Sequence, residues 1–255
     1  MKKIIALAVL ILITLSAANG RPIIVAHRCG GGLAPENTVI AAENAWKAGA
    51  DGIEIDVRVT KDGKAVILHD NTLERYAGID LKVEDATFGQ LRSIDLGPYF
   101  GPQYKNLKIP TLQEILKTVP KGKFAEFDMK ARGKRTAEIV SACVLAENAV
   151  DRVIIHTDAD SMRCFKAIMP TVKCIGGLHP WNIDSEKQLT EELGYLCSIF
   201  NGNAEDPELA TKAAEAGLKT WAWTIDDLDR AKLLVKCGVS GIITNRPDIM
   251  LKGLK

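Results

Sequence analysis

Short apolar runs alternate with longer amphipathic stretches along most of this chain. Residues 22–27 are apolar up to the closing histidine and precede a glycine-rich turn, the pattern of a buried strand. Glu36, Asn37 and Thr38 then open a helix carrying Ala41, Ala42, Ala45, Trp46 and Ala48, which stops at Gly49. Residues 52–60 are β-branched at alternate positions, Asp62-Gly63 marks a turn, and 65–69 is the returning strand. Further strands are predicted at 123–129, 153–156, 172–178, 195–200, 219–223 and 241–244. Helices are predicted at about 111–119, 134–148, 159–168, 185–193, 206–216 and 226–237. Alternation at this spacing predicts an α/β fold with a parallel sheet closed as a barrel. The stretch 71–110 is the least regular and is expected to cover one end of that barrel.

The polar residues collect where barrel chemistry is expected, at the C-terminal ends of the strands. His27-Arg28, Glu54 and Asp56, His69-Asp70, Asp128 and Lys130, Trp223-Thr224 and Thr244-Asn245 all fall there. Side chains alternate along a strand, so Glu54 and Asp56 share one face and Ile53, Ile55, Val57 and Val59 take the other. A two-residue Asp62-Gly63 turn would set Asp56 directly opposite His69. Two carboxylates so close repel unless a cation lies between them. An all-oxygen set selects a hard ion, Mg²⁺, Ca²⁺ or Mn²⁺, over zinc. Asp128 is the expected third ligand, with Glu126 on the same face as the alternative. Arg28 and Lys130 then call for an anion, and a phosphate satisfies both.

At 255 residues the chain has the length of one α/β barrel. Lys plus Arg (33) balances Asp plus Glu (32), so no basic excess points to nucleic acid. The first twenty residues stand apart: Lys2 and Lys3, an apolar run over 4–15, then the small residues Ala18 and Gly20. That is the pattern of a secretory signal, and the run is short of the about 20 residues a membrane span needs. We therefore expect residues 1–20 to be a leader and 21–255 to be one exported domain without stable membrane insertion. Export leaves the six cysteines two readings, disulfides or small buried residues.

The ordered motifs resemble those of the glycerophosphodiester phosphodiesterases. His27-Arg28-Cys29, Pro35-Glu36-Asn37-Thr38, Glu54-Ile55-Asp56-Val57, Thr60-Lys61-Asp62-Gly63 and His69-Asp70 follow the family series, as do Asp128-Met129-Lys130, Trp223-Thr224 and Thr244-Asn245. The resemblance implies a single TIM-type (β/α)₈ barrel with only a short insertion after the second histidine. It implies one divalent cation on Glu54, Asp56 and Asp128, with His27 and His69 as acid and base. It also implies that Arg28 and Lys130 contact the phosphate of a small-molecule glycerophosphodiester, which is cut to sn-glycerol 3-phosphate and an alcohol. The nucleophile is either the substrate's 2-hydroxyl or a water. Two residues depart from the family pattern: Cys29 replaces a glycine, and Asp128 replaces a longer glutamate.

Several other residues carry expectations. Trp223 is expected in the substrate pocket, and Trp181 and Trp221 either there or in the core. His156 and His179 lie after strands, within reach of the barrel mouth. Tyr99 and Phe100 either form a lid or pack the 71–110 stretch onto the rim. Two rival readings are a barrel acting on lysophospholipids, which needs a wide apolar mouth, and a silent phosphodiester-binding barrel.

Overall fold

The computed structural model describes residues 20–179, 182–194, 197–201 and 206–254. Its strands are β1 (Ile23–Ala26), β2 (Gly52–Val59), β3 (Ala65–Ile67), β4 (Thr72–Leu73), β5 (Ile79–Lys82), β6 (Phe124–Met129), β7 (Val153–His156), β8 (Lys173–Gly177), β9 (Cys197–Asn201), β10 (Thr220–Trp223) and β11 (Gly241–Thr244). Parallel pairing runs β1-β11-β10-β9-β8-β7-β6-β2, and a β1–β2 contact closes the ring into the expected eight-stranded barrel. β3 is antiparallel on the far edge of β2. Each barrel strand predicted from the sequence is present, within a residue or two at its ends.

Helix ends follow local chemistry. Thr38 caps the first helix, Val39–Ala48, by accepting from the Ala41 N–H at 3.2 Å, and Gly49 ends it in the left-handed region at φ 96°. Thr111 and Glu114 form a reciprocal capping box on the helix Leu112–Leu116. Glu114 also pairs with Arg92 at 2.6 Å, fastening the 71–110 stretch to the barrel wall.

Strand alternation sorts the side chains into an outer and an inner set. Ile53, Ile55, Val57, Ala125, Phe127, Val153 and Ile155 point outward into the main core beneath the helices. Val25, Phe124, Ile154, Ile175, Trp221 and Ile243 point inward and fill the lower barrel. Trp221 is buried, with its ring centroid 5.7 Å from that of Phe124. Gly52 and Gly241 make room for those two rings, since a Cβ at either would collide with them. Trp221 is therefore core, not substrate surface. The 71–110 stretch is a cap with its own apolar cluster around Leu73, Tyr76, Val83, Leu91, Leu96 and Ile109.

Among the described residues Cys29, Cys143, Cys164, Cys174 and Cys237 are unpaired. Burial raises the thiol pKa values of Cys29, Cys143 and Cys174, as expected of small core residues. No helix among the described residues is long and apolar enough to cross a membrane. The leader, Trp181 and the start of the predicted 195–200 strand lie outside the described residues, Gly20 excepted.

Candidate active site

Parallel pairing in register brings the inward carboxylates of two strands side by side. Glu54 lies opposite Glu126, and Asp56 opposite Asp128, on β2 and β6. Next to them Asp128 lies opposite His156 of β7. The resulting cavity is lined by His27, Arg28, Glu54, Asp56, His69, Glu126, Asp128, Lys130, His156, Trp223 and Ile243. All eight residues expected in the site line it, including Trp223.

Glu54, Asp56 and Asp128 each offer a carboxylate oxygen within 4.8 Å of the others'. Burial, and then the charges of Asp56, Asp128 and Glu126, raise the Glu54 pKa well above the usual carboxylate range. Such a cluster is suited to a hard divalent cation, whose charge would relieve that repulsion. Part of the repulsion is met by Lys130, whose ammonium donates to Asp56 at 2.9 Å and Asp128 at 2.6 Å. Burial works to lower the Lys130 pKa, but the Asp56 and Asp128 charges raise it above its ordinary value. The same burial works against Asp128, yet His156 and Lys130 hold its carboxyl below its ordinary value. Asn37 anchors the cluster from behind: its Nδ2 donates to Asp56 Oδ2 at 2.6 Å, and its Oδ1 accepts from the Asp56 N–H at 3.2 Å.

Glu126 is different. It is fully buried, and neither carboxyl oxygen has a hydrogen-bond partner. Burial, with Asp128 and Asp56 adding to it, pushes its pKa up to about 8. His156 Nδ1 lies 3.6 Å from Glu126 Oε1, and burial lowers the His156 pKa below its ordinary value.

His27 and His69 both line the cavity that holds the carboxylates. His27 Nε2 lies 3.9 Å from Glu54 and 3.5 Å from the Thr224 hydroxyl. Its Nδ1 is 2.8 Å from Asn245 Oδ1. Asn245 Nδ2 donates to Asp226 Oδ2 at 2.7 Å, and Asp226 Oδ1 also accepts from the Asn245 N–H and the Thr244 hydroxyl. With the amide oriented by Asp226, its oxygen must accept from His27, so Nδ1 carries the hydrogen and Nε2 presents a lone pair. Burial lowers the His27 pKa below its ordinary value, although the Asn245 bond works to raise it.

The two-residue turn expected before His69 is not what forms. Val57 pairs with Ile67, and Leu68 N–H donates to Asp56 O at 3.0 Å, so Leu68 rather than His69 faces Asp56. The turn holds three residues, with Gly63 at φ 77°. Thr60 closes it by donating its hydroxyl to Asp62 at 2.6 Å and accepting the Lys64 N–H at 2.9 Å. A one-residue slip reverses side-chain direction, yet His69 still reaches the cavity because β3 ends at Ile67 and the chain turns beyond it. Arg58 fixes that turn by donating to the carbonyls of Leu68 and His69 at 3.1 and 2.6 Å. His69 Nδ1–H meets Asp70 Oδ1 at 2.7 Å, leaving Nε2 for the cavity.

Arg28 sits at φ 49°, in the left-handed region, followed by Cys29 at φ 66°. That bend aims the Arg28 N–H at Glu54 Oε2 (2.7 Å), and its guanidinium pairs with Glu36 at 3.1 Å. Cys29 itself is buried in the outer core. His156, which the sequence did not place in the site set, also lines the cavity. The His179 N–H donates to Asn182 Oδ1 at 2.7 Å, and His179 is not among the lining residues. Tyr99 and Phe100 stack edge-on at 4.8 Å within the cap and do not line the cavity. The sequence placed Thr224 and Asn245 at strand ends and Asn37 at a helix start without a role for any of them, and did not mark Asp226. An Asp three residues past a strand-end tryptophan was the available signal.

A second, open cleft of about 950 Å³ begins at His69 and is lined by Arg58, Asp70, Asn71, Thr72, Glu74 and Arg75. All of its lining side chains are polar.

Residues 27–249 match the model of the glycerophosphoryl diester phosphodiesterase family. A glycerophosphodiester phosphodiesterase of Caldanaerobacter subterraneus subsp. tengcongensis is 30% identical over 241 residues, covering 91% of this chain and 97% of that protein. One from Bacillus subtilis is 28% identical over 254 residues, covering 91% of this chain and 86% of its own length. Among solved structures, an Oleispira antarctica phosphodiesterase in complex with the product sn-glycerol-3-phosphate superposes with TM-score 0.79 at 23% identity, covering 93% of this chain and 98% of that one.

Proposed function

The chain belongs to the glycerophosphoryl diester phosphodiesterase family, and from that premise we propose that it hydrolyses soluble glycerophosphodiesters to sn-glycerol 3-phosphate and an alcohol. The observation that carries this reading is the meeting of three carboxylates, the imidazoles of His27 and His69 and the cations Arg28 and Lys130 in one cavity.

Glu54, Asp56 and Asp128 would hold a Mg²⁺ or Ca²⁺ ion, with Mn²⁺ also compatible with an all-oxygen set. When bound, the ion supplies Lewis acidity toward a phosphoryl oxygen and the glycerol hydroxyl. Arg28 and Lys130 bind the phosphate through charge-assisted hydrogen bonds. Lys130 donates to Asp56 and Asp128 and would turn to the phosphate if those carboxylates were engaged by a cation.

His27 is the base. Its Nε2 lone pair takes the proton of the attacking hydroxyl, and Asn245 steadies the ring as it becomes cationic. His69 is the acid. As the ester P–O bond breaks, His69 Nε2 gives its proton to the leaving oxygen, and Asp70 holds the ring in place. Where the attacking hydroxyl is the glycerol 2-hydroxyl, a water then opens the cyclic phosphate: His69 takes the water's proton, and His27 returns its proton to the 2-oxygen, leaving sn-glycerol 3-phosphate. The cleft beyond His69 then receives the departing headgroup. Among the described residues, Trp223 and Ile243 are the only apolar side chains lining the inner cavity, and the cleft is lined by none. Polar headgroups therefore fit better than the acyl chain of a lysophospholipid. The intact set of acid, base, carboxylates and cations argues against a silent binding barrel.

The leader reading of residues 1–20 places the enzyme outside the cytoplasm after cleavage before Arg21. In support, Arg21 is already part of the domain, paired with Asp51 at 2.7 Å.

Turnover of glycerophosphodiesters with and without chelator, and with leaving groups of different acidity, tests the reading. Replacing His69 by Ala is expected to cost about 10²–10⁴-fold on a glycerophosphoalcohol and far less on a nitrophenyl ester, whose leaving group needs no acid. His27→Ala should lose on both. Equal losses of the two variants on both substrates would reverse the assignment, and a wild-type protein inert on every diester would end it.

A further inference from the structure

One side chain of the cap touches both halves of the site's support. Arg75 Nε donates to Asp70 Oδ2 at 2.7 Å, and its Nη2 donates to Asp70 Oδ1 at 2.9 Å and to Glu36 Oε1 at 2.7 Å. Asp70 is the carboxylate behind His69, and Glu36 is the carboxylate behind Arg28. The acid behind His69 and the acid behind Arg28 thus share one guanidinium nitrogen. Tyr76 completes the junction by donating to Glu36 Oε1 at 2.7 Å and accepting from Arg75 Nη2. The guanidinium lies 4.1 Å from the centroid of the Tyr76 ring, and its Nη1 reaches the Tyr99 hydroxyl at 3.4 Å.

We propose that Arg75 is a positioning residue of this enzyme, setting the proton donor His69 and the phosphate ligand Arg28 at a fixed spacing through Asp70 and Glu36. The physical reason lies in the geometry of the fork. A guanidinium engages Asp70 through two donors while a third hydrogen bond holds Glu36, and the planar group fixes the angle between them. Without it two carboxylates face each other and repel, drawing His69 and Arg28 apart. A lysine keeps the charge but is a point donor and cannot hold both acids at that angle. The cap segment that carries Arg75 is thereby built into the catalytic machinery, although none of its described residues, Arg75 included, lines the inner cavity.

The proposal rests on the hydrolase reading of the site. Its test compares kcat, and the inhibition constant of the product glycerol 3-phosphate, in wild type, Arg75→Ala and Arg75→Lys. Because misplacement of about 1 Å can cost about 10²-fold, kcat should fall about 10–100-fold in both variants. Product binding should weaken about tenfold through the Arg28 arm, equivalent to about 1.4 kcal/mol. Added guanidinium ion should restore part of the kcat of Arg75→Ala, which a merely structural loss would not allow. In an Asp70→Asn background, Arg75→Ala should cost little further kcat yet still weaken product binding. Wild-type kcat and product affinity in Arg75→Lys would overturn the proposal, and this variant decides the matter if Arg75→Ala does not fold. An active wild type beside an unaffected Arg75→Lys removes this proposal alone. A wild type without diester turnover removes the hydrolase reading as well.

Discussion

Asn245 accepts the Nδ1 hydrogen of His27 at 2.8 Å while its own amide nitrogen is held by Asp226 at 2.7 Å. The relay decides which ring nitrogen of His27 is bare, and therefore where a proton can be taken. It is expected to matter for rate more than for binding. Asn245→Ala should lower kcat about 10–100-fold with KM changed far less, since the ring loses its fixed tautomer and orientation. Asp226→Asn should show a milder loss of the same kind, because its amide can still bond to Asn245 but no longer dictates the direction. Steady-state kinetics of both variants checks this, and a pure KM effect would contradict it.

The pH profile of kcat/KM follows from the environment of His27. Burial lowers its pKa below 6.5, and the Asn245 bond only partly offsets this. A base is active when deprotonated, so a lowered pKa extends activity to more acidic solution. The acid limb assigned to His27 is therefore expected below pH 6.5. Removing the Asn245 bond takes away a raising influence, so in Asn245→Ala the limb should move further down. Profiles measured at saturating metal, with limbs at or above pH 6.5, would contradict the assignment of His27 as base.

Glu126 predicts a stability change of the opposite sense to an ordinary surface acid. Its folded-state pKa is raised from 4.5 to about 8, chiefly by burial. The folded protein therefore holds this proton more tightly than the unfolded chain does. Stability on this account is fully present below about pH 4.5 and is lost as pH rises toward 8. For metal-free protein the loss is on the order of a few kcal/mol. Glu126→Gln keeps the shape without the charge, so its melting temperature should exceed that of wild type at pH 8 and match it near pH 4.5. Thermal unfolding in chelator at the two pH values measures this directly.

The barrel was legible in the sequence because alternation of strand and helix is a pattern of many residues, and single errors in it do not propagate. The same alternation put Glu54 and Asp56 inside and Ile53, Ile55 and Val57 outside, as found. The hairpin register was not legible, because Asp62-Gly63 suits turns of two or three residues. The choice falls to the Thr60 hydroxyl, which binds both Asp62 and the Lys64 N–H. The groups behind the histidines were hidden for another reason. Asp226 and Asn245 lie in loops after different strands, and Arg75 lies in the irregular cap. Only the closed barrel brings such positions together, and no periodicity marks them.

Asp128 and Glu126 are both inward carboxylates of β6, and the sequence left open which one completes the metal set. Geometry separates them: Asp128 has an oxygen within 4.8 Å of those of Glu54 and Asp56, and Glu126 is not in that group. Electrostatics separates them in the same sense. Asp128 is held ionised by His156 and Lys130 despite its burial, ready to bind a cation, whereas Glu126 keeps its proton at neutral pH. Asp128→Asn should therefore weaken Mg²⁺ or Ca²⁺ binding by at least the about 10–100-fold seen when even an outer-shell partner is lost. Glu126→Gln should change it by no more than about threefold, because the group it replaces carries little charge at pH 7. Titration calorimetry of the metal-free variants gives both numbers without recourse to turnover. If Glu126→Gln loses the metal and Asp128→Asn keeps it, the ligand set is Glu54, Asp56 and Glu126, and Lys130 with Asp128 forms a separate phosphate-facing pair.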